Sequence, residues 1–367
     1  MRTRLVALAL LLAAASSLPR AARAQDGLAR AQALAKQSTD ARDAMETLRF
    51  QAGKIQDPAL KAAAKDLLEN PAPTFMQAWP DAAAREKVRG ALVEAKLLAP
   101  DVSVDLLFPP LANALKAPAP FDVAPAGDPQ HHHGYPGGLA VHTAFNVQAA
   151  LDLARNYRNR YGVVLDPDLV IAAPLLHDCM KPWAFQWKRD GTITAQPKIA
   201  DTGSHHIFAI AEAIHRGLSP TFVVALASAH DTPTGDTAPR VVGYLRAAAI
   251  LAGVDPVEKG ILVRDGEAWR LAALPPLEAT VNHLSDHDYV LLDPAAALEA
   301  DALDRLARDA AKKEGLVVDD ARLRWMRHRI HQKISGVQIY AWLVDGGDER
   351  VAAELKKHAV PLLDKKD

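Results

Sequence analysis

A chain of 367 residues with 49% hydrophobic content, 24% charged residues and a formal net charge of −1 has ample material for a packed core. That balance gives no general electrostatic footprint for nucleic acid, although a local basic groove is compatible with it. The single cysteine, Cys179, excludes an internal disulfide, so packing alone must hold the fold together.

Residues 1–24 open with MRTR, run through LVALALLLAAASS and close on Ala22-Arg23-Ala24, the three-part pattern of a secretory leader cleaved before Gln25. The apolar run is too short for a membrane span and no cysteine follows it to carry a lipid, so the expectation is a periplasmic or secreted protein. Losing Arg2, Arg4, Arg20 and Arg23, and no acidic residue, would lower the formal charge from −1 to −5.

An N-terminal region, 25–114, reads as short amphipathic helices punctuated by Pro58, Pro71 and Pro73. Residues 115–130, LKAPAPFDVAPAGDPQ, carry four prolines and read as an extended connector. The next region, 131–293, holds most of the fourteen histidines, on expected helices Leu139–Tyr157, Leu169–Cys179, His205–Arg216, Pro220–Ala229 and Val241–Ala252. Asp190-Gly191 and Asp265-Gly266, each flanked by strand formers, predict two β-hairpin insertions. The tail, 294–367, is again helical. In it Leu323, Met326, Ile330, Ile334 and Val337 share one face, and Arg322, Arg324, Arg327, Arg329 and Lys333 lie opposite, as a solvated face or the wall of a substrate groove. The expected fold is mainly all-α, a helical core with two small hairpins and flanking helices.

The chemistry gathers in the histidine-rich region. In HHHGYPGGLAVHT, Gly137-Gly138 end a loop and open a helix on which His142 shares an inward stripe with Phe145, Ala149 and Leu153. VIAAPLLHDCMK is an apolar helix that ends on His177 and Asp178, with Lys181 three residues later. A buried carboxylate beside a histidine costs several kcal/mol unless it is paired or binds a metal. Imidazoles with carboxylates suit Mn, Fe, Ni, Co or Zn, whereas an all-oxygen site would favour Mg or Ca. Cys179, a lone thiol beside hard ligands, reads as packing.

GGLAVHT, HDCMK and SHHIFAIAEAI, in that order over roughly His131 to Asp255, resemble the HD-domain metal-dependent phosphohydrolase superfamily. The wording is closest to members with an HHxYxGGLxxHT opening, a branch that includes bacterial exoribonucleases. The resemblance implies a helical HD core with one or two divalent transition-metal ions and a phosphomonoester or phosphodiester substrate of nucleotide or oligonucleotide type. It implies that His142, His177, Asp178 and a later aspartate hold the first ion, and that Asp178 bridges to a second held by His206 and His230. His206 is preferred to His205 on the helix register of HIFAIAEAI. For the later aspartate, RAAAILAGVDP resembles the family's A-x-x-x-x-x-AD segment and gives Asp255, with Val254 where the family usually has alanine; NHLSDHDY offers Asp286, beside His283, as the alternative.

In such a centre two ions about 3.5–4 Å apart clamp the attacking and leaving oxygens of an in-line displacement. Asp178 and Lys181 are then the catalytic residues, with Lys181 neutralising charge on the phosphoryl oxygens. His132 and His133 would contact phosphate or sugar oxygens, or lie in a solvated loop, and Tyr135 would stack on a base or pack at the surface. Two other readings keep the fold: a di-iron oxygenase, as in a few superfamily members, and a non-catalytic metal- or ligand-binding protein.

Overall fold

A computed structural model describes residues 20–129 and 131–364; residues 1–19, where most of the expected leader falls, lie outside the described residues. The N-terminal part comprises α1 (Arg20–Ala35), α2 (Thr39–Lys54), α3 (Pro58–Glu69), α4 (Ala82–Glu94) and α5 (Val104–Leu107). The expected cleavage point, Ala24-Gln25, lies within α1. The histidine-rich part comprises α6 (Gly138–Tyr161), α7 (Pro167–Leu176), α8 (Lys181–Ala184), β1 (Lys198–Ile199), β2 (Thr202–Gly203), α9 (Ser204–His215), α10 (Pro220–Ala227), α11 (Ala238–Ala252), β3 (Leu262–Asp265), β4 (Ala268–Leu271) and α12 (Leu277–Ser285). The tail is α13 (Tyr289–Lys313), α14 (Asp320–Ile330) and α15 (Gly336–Lys357). The fold is mainly all-α, with two two-stranded antiparallel sheets among the described residues. Among the described residues, no helix is long and apolar enough to cross a membrane.

Capping explains where the helices begin. Asp57 accepts from Leu60 N before α3, Asp166 from Asp168 N before α7, and Ser219 from Phe222 N before α10, each followed by a proline at the first helical position. Every such cap satisfies an N–H that the helix itself leaves orphaned, and proline gives up no helical hydrogen bond there. Leu48, Leu67, Leu139, Leu175, Phe208 and Leu245 belong to one continuous apolar core that takes in α2, α3, α6, α7, α9 and α11. A fully buried side chain of this kind contributes roughly 1.5–3 kcal/mol. From Leu169 onward α7 is buried on every side, as its unbroken apolar sequence requires.

Several expectations are corrected. Residues 115–129 of that expected connector fold into turns rather than an extended run, because Phe121, Ala124 and Ala126 are buried in the main core. The inward face of α6 carries Leu139, His142, Thr143, Asn146, Val147 and Ala150, while Phe145 is 53% exposed, because α2, α7 and α12 all pack on the Asn146 side. Helix α7 stops at Leu176 instead of reaching Cys179, so His177 and Asp178 sit on a turn whose Lys181 N–H donates to Asp178 O at 2.9 Å.

Asp265-Gly266 turns a full four-residue ladder, β3 with β4. Around Asp190-Gly191 only Trp187 and Ile193 pair. That turn is held from outside by α14, where Trp325 Nε1 donates to Arg189 O at 3.0 Å and Arg324 Nε to Asp190 O at 2.9 Å. The β1–β2 pair just before α9 has no counterpart in the sequence reading. In the tail Leu323, Met326, Ile330 and Ile334 join a second core with α13 and α15, whereas Val337 is 43% exposed.

Candidate metal centre

Five elements meet around Asp178. His142 comes from the first turns of α6, whose tight entry needs both glycines: Gly137 has φ +87°, and a Cβ on Gly138 would lie 2.0 Å from His133 O. His177 and Asp178 come from the turn after α7, His205 from the start of α9, His230 from the loop after α10, and Asp286 from the turn between α12 and α13. Oδ2 of Asp178 lies 3.4 Å from His142 Nε2 and 3.2 Å from His177 Nε2, while its Oδ1 lies 3.3 Å from His205 Nε2. Asp286 repeats this division: Oδ1 is 3.1 Å from His142 Nε2 and 3.3 Å from His177 Nε2, and Oδ2 is 3.9 Å from His230 Nε2. Lys181 Nζ stands 2.5 Å from Asp178 Oδ2.

The histidines are oriented by their other nitrogen. His177 Nδ1 donates to Pro174 O at 2.8 Å, His205 Nδ1 to Gln196 Oε1 at 2.7 Å, and His230 Nδ1 bonds Thr202 Oγ1 at 2.7 Å. Each arrangement leaves Nε2 facing the carboxylates, the way metal-binding imidazoles are fixed by outer partners. His177 Nε2, His205 Nε2 and both Asp178 oxygens are buried and find no hydrogen-bond partner outside this cluster of His, Asp and Lys181. Donor atoms left to one another this deep are costly, and a cation between them removes the cost. Among the described residues three sets have donor atoms within 4.8 Å of one another: His132, His142 and Asp288; His142, His177 and Asp178; and Asp178, His205 and His230, the last two sharing Asp178. Asp286 caps both.

The electrostatics differ between the sets. Burial alone would lower His177, but Asp178 and Asp286 overcome it and push its pKa up to about 10; His142 is raised for the same reason. Against their own burial, His177 and Lys181 hold Asp178 well below the usual carboxylate range, and His177 and His142 hold Asp286 there. Burial lowers His205, and burial with the neighbouring His206 drives His230 well down. The set of Asp178, His205 and His230 therefore offers neutral imidazoles, the form that binds metal.

The other residues singled out in the sequence fall elsewhere. His206 points away from Asp178: its Nε2 lies 3.1 Å from Ala227 O and its ring stacks on His230 at 4.1 Å, so His205 takes the place expected of it. Asp255 is exposed and accepts from Val257 N in a local turn, while Asp286 lies in the cluster. His283 bonds Ala229 O through Nδ1 at 2.9 Å rather than facing the ions' place. His132 lines the cleft and donates to Asp293 Oδ1 through Nδ1 at 2.5 Å and through its backbone N–H at 2.8 Å. His133 lies 3.8 Å from Asp288, and burial lowers its pKa to about 4. Tyr135 is buried, stacked on His331 at 5.1 Å, so its ring is not free for a base. Cys179 is buried in the core, its thiol pKa pushed up by burial. None of Arg322, Arg324, Arg327, Arg329 and Lys333 lines the cleft; Arg327 is buried against Asp304.

Asn146, Gln196 and Thr202, which touch His142, His205 and His230, are positions at the cluster that the sequence reading missed. Asn146 carries a weak signal, one turn after His142 on the same face. Gln196 and Thr202 carry none, since their partners are set by the tertiary fold. Beside the cluster lies a cleft of about 400 Å³, walled by Phe185, Ile193 and Tyr289 and edged by His131, His132, Lys181 and Asp293.

A helical frame that buries these His/Asp sets, together with the similarity below, is consistent with an HD-like phosphohydrolase. The chain is 34% identical over 111 residues to the dihydroneopterin 2',3'-cyclic phosphate phosphodiesterase of Methanocaldococcus jannaschii, a match covering 30% of this chain and 43% of that relative's length. No family model and no solved structure matches the chain.

Proposed function

We propose that the protein is a metal-dependent hydrolase of a small phosphodiester, of the cyclic-phosphate or nucleotide type. The observation that carries this reading is Asp178, whose two buried oxygens face two separate histidine sets. One or two divalent ions would supply Lewis acidity toward the phosphoryl group and a water ionised near neutral pH. The chain's own residues do the rest. Lys181, at the cleft and 2.5 Å from Asp178, offsets negative charge as it builds on the phosphoryl oxygens. His132, locked by Asp293, hydrogen-bonds a phosphate or sugar oxygen, and Phe185 with Tyr289 shelters a ring. Lys181 is the one Lys or Arg among the described lining residues, against Asp128, Asp286 and Asp293, which favours a substrate with a single phosphate over a polyanion. The relative's named cyclic phosphate supports the same class of bond.

The test is metal analysis of the purified protein with assays on 2',3'-cyclic phosphates, phosphomonoesters and oligonucleotides in Mn, Fe, Ni, Co and Zn. Bound metal and cyclic-phosphate cleavage, both lost in His177→Ala with Asp178→Ala, is the expected result. No bound metal and no difference between variant and wild type would sink the proposal. Iron with oxygen-dependent turnover and no phosphoester cleavage selects the oxygenase reading instead, and a loaded centre without turnover the non-catalytic one. The leader-like residues 1–24 support export, and N-terminal sequencing of the protein from a periplasmic fraction is expected to start at Gln25.

A further inference from the structure

The two ligand sets that share Asp178 are braced by different parts of the chain. In the first, His177 is held by Pro174 O within α7 and its loop, and Asn146 of α6 stands 3.0 Å from His142 Nε2. In the second, both braces come from the segment 186–203 between α8 and α9. Gln196 Oε1 accepts from His205 Nδ1 at 2.7 Å and from His205 N at 3.3 Å, and Thr202 Oγ1 bonds His230 Nδ1 at 2.7 Å. The backbone N–H can only donate, so the Gln196 atom beside it is the oxygen. His205 Nδ1 therefore carries the proton, and Nε2 turns a lone pair toward Asp178 Oδ1 3.3 Å away.

Gly203 makes room for this contact. A Cβ there would lie 2.8 Å from Gln196 Nε2 and 2.9 Å from His205 Nδ1, whereas its backbone, φ −61° and ψ 138°, is open to any residue. The glycine thus serves the meeting of the two side chains and not the turn.

We infer that Gln196 and Thr202 are positioning residues for the second ion that the resemblance implies, fixing His205 and His230 from the segment 186–203. The inference rests on the metal reading proposed above. Outer partners of metal-bound histidines are typically worth 10–100-fold in affinity.

The test is metal stoichiometry by mass spectrometry and calorimetric titration of the full chain with Mn²⁺ alone and Zn²⁺ alone. Wild type is expected to bind two ions. Gln196→Ala, Thr202→Val and Gly203→Ala are each expected to keep one tight ion and to weaken the second about 10–100-fold, with unchanged circular dichroism. Gln196→Glu, which retains an acceptor, is expected to keep both. Wild-type affinity for two ions in Gln196→Ala and Gly203→Ala overturns the inference. So does loss of the second ion in Gln196→Glu, which would reduce residue 196 to packing. A wild type that binds one ion overturns this inference and spares the hydrolase reading; one that binds none overturns both.

Discussion

Asn146 Nδ2 donates to Asp286 Oδ1 at 2.9 Å across 140 residues of chain, and the same nitrogen stands 3.0 Å from His142 Nε2. One amide thereby ties a carboxylate from the far end of the histidine-rich region to the ligand that opens it. Asp286→Asn is expected to remove an anionic ligand from both sets, lowering metal affinity and turnover by at least about 100-fold, while Asp255→Asn, on an exposed turn, stays within about twofold. Asn146→Ala is expected to weaken metal binding about 10–100-fold. Calorimetric titration of the three variants measures all of this, and equal effects at Asp286 and Asp255 would contradict the geometry.

His205 and His206 are neighbours with opposite tasks. His205→Ala is expected to lose an ion and leave thermal stability of the ion-free chain nearly unchanged. His206→Ala, which strips a buried partner from Ala227 O and a stacked ring from His230, is expected to cost roughly 1–3 kcal/mol of stability and keep the metal content. Denaturant unfolding beside metal analysis separates the two.

For Lys181 the expectation is a loss of rate with the metal retained. Lys181→Met removes the ammonium beside Asp178 and leaves every histidine in place, so kcat should fall about 10²–10³-fold, as when one charge-stabilising donor is removed. A kcat within threefold of wild type would assign the lysine to packing.

The pH dependence follows from His177. Its pKa in the folded, ion-free chain is pushed up to about 10 from an ordinary 6.5, so the stability it contributes is complete below the ordinary value and is lost as pH rises through about 10. Asp178 and Asp286 are shifted the other way, and their contribution is present above the ordinary 3.8 and fades only as pH falls through their much lower folded values. A cation must displace the His177 proton, so metal affinity rises with pH. The difference in Tm between metal-loaded and chelated protein is therefore expected to widen from about pH 6 to about pH 9. Differential scanning fluorimetry measures it, and a constant difference would show that no proton leaves on binding.

Local pattern alone marked the all-α class, the inward His142 and the triplet His177, Asp178 and Lys181, because capping, helix period and an apolar helix ending in charge are all written within a few residues. The face of α6 came out rotated at Phe145, since a stripe of spacing three and four can lie on either side of His142 until the neighbours α2, α7 and α12 choose one. Adjacent residues on a helix diverge by about 100°, so the choice of His205 over His206 depended on where α9 sits relative to Asp178. Asp286 displaced Asp255 through a hydrogen bond 140 residues long in sequence, and Gln196 and Thr202 entered through a small β turn without a motif. Residue identity determined that this chain carries metal-binding donors; the packing of helices from distant sequence decided which of them converge, because a donor set is a property of positions in space and the chain's periodicities encode only faces.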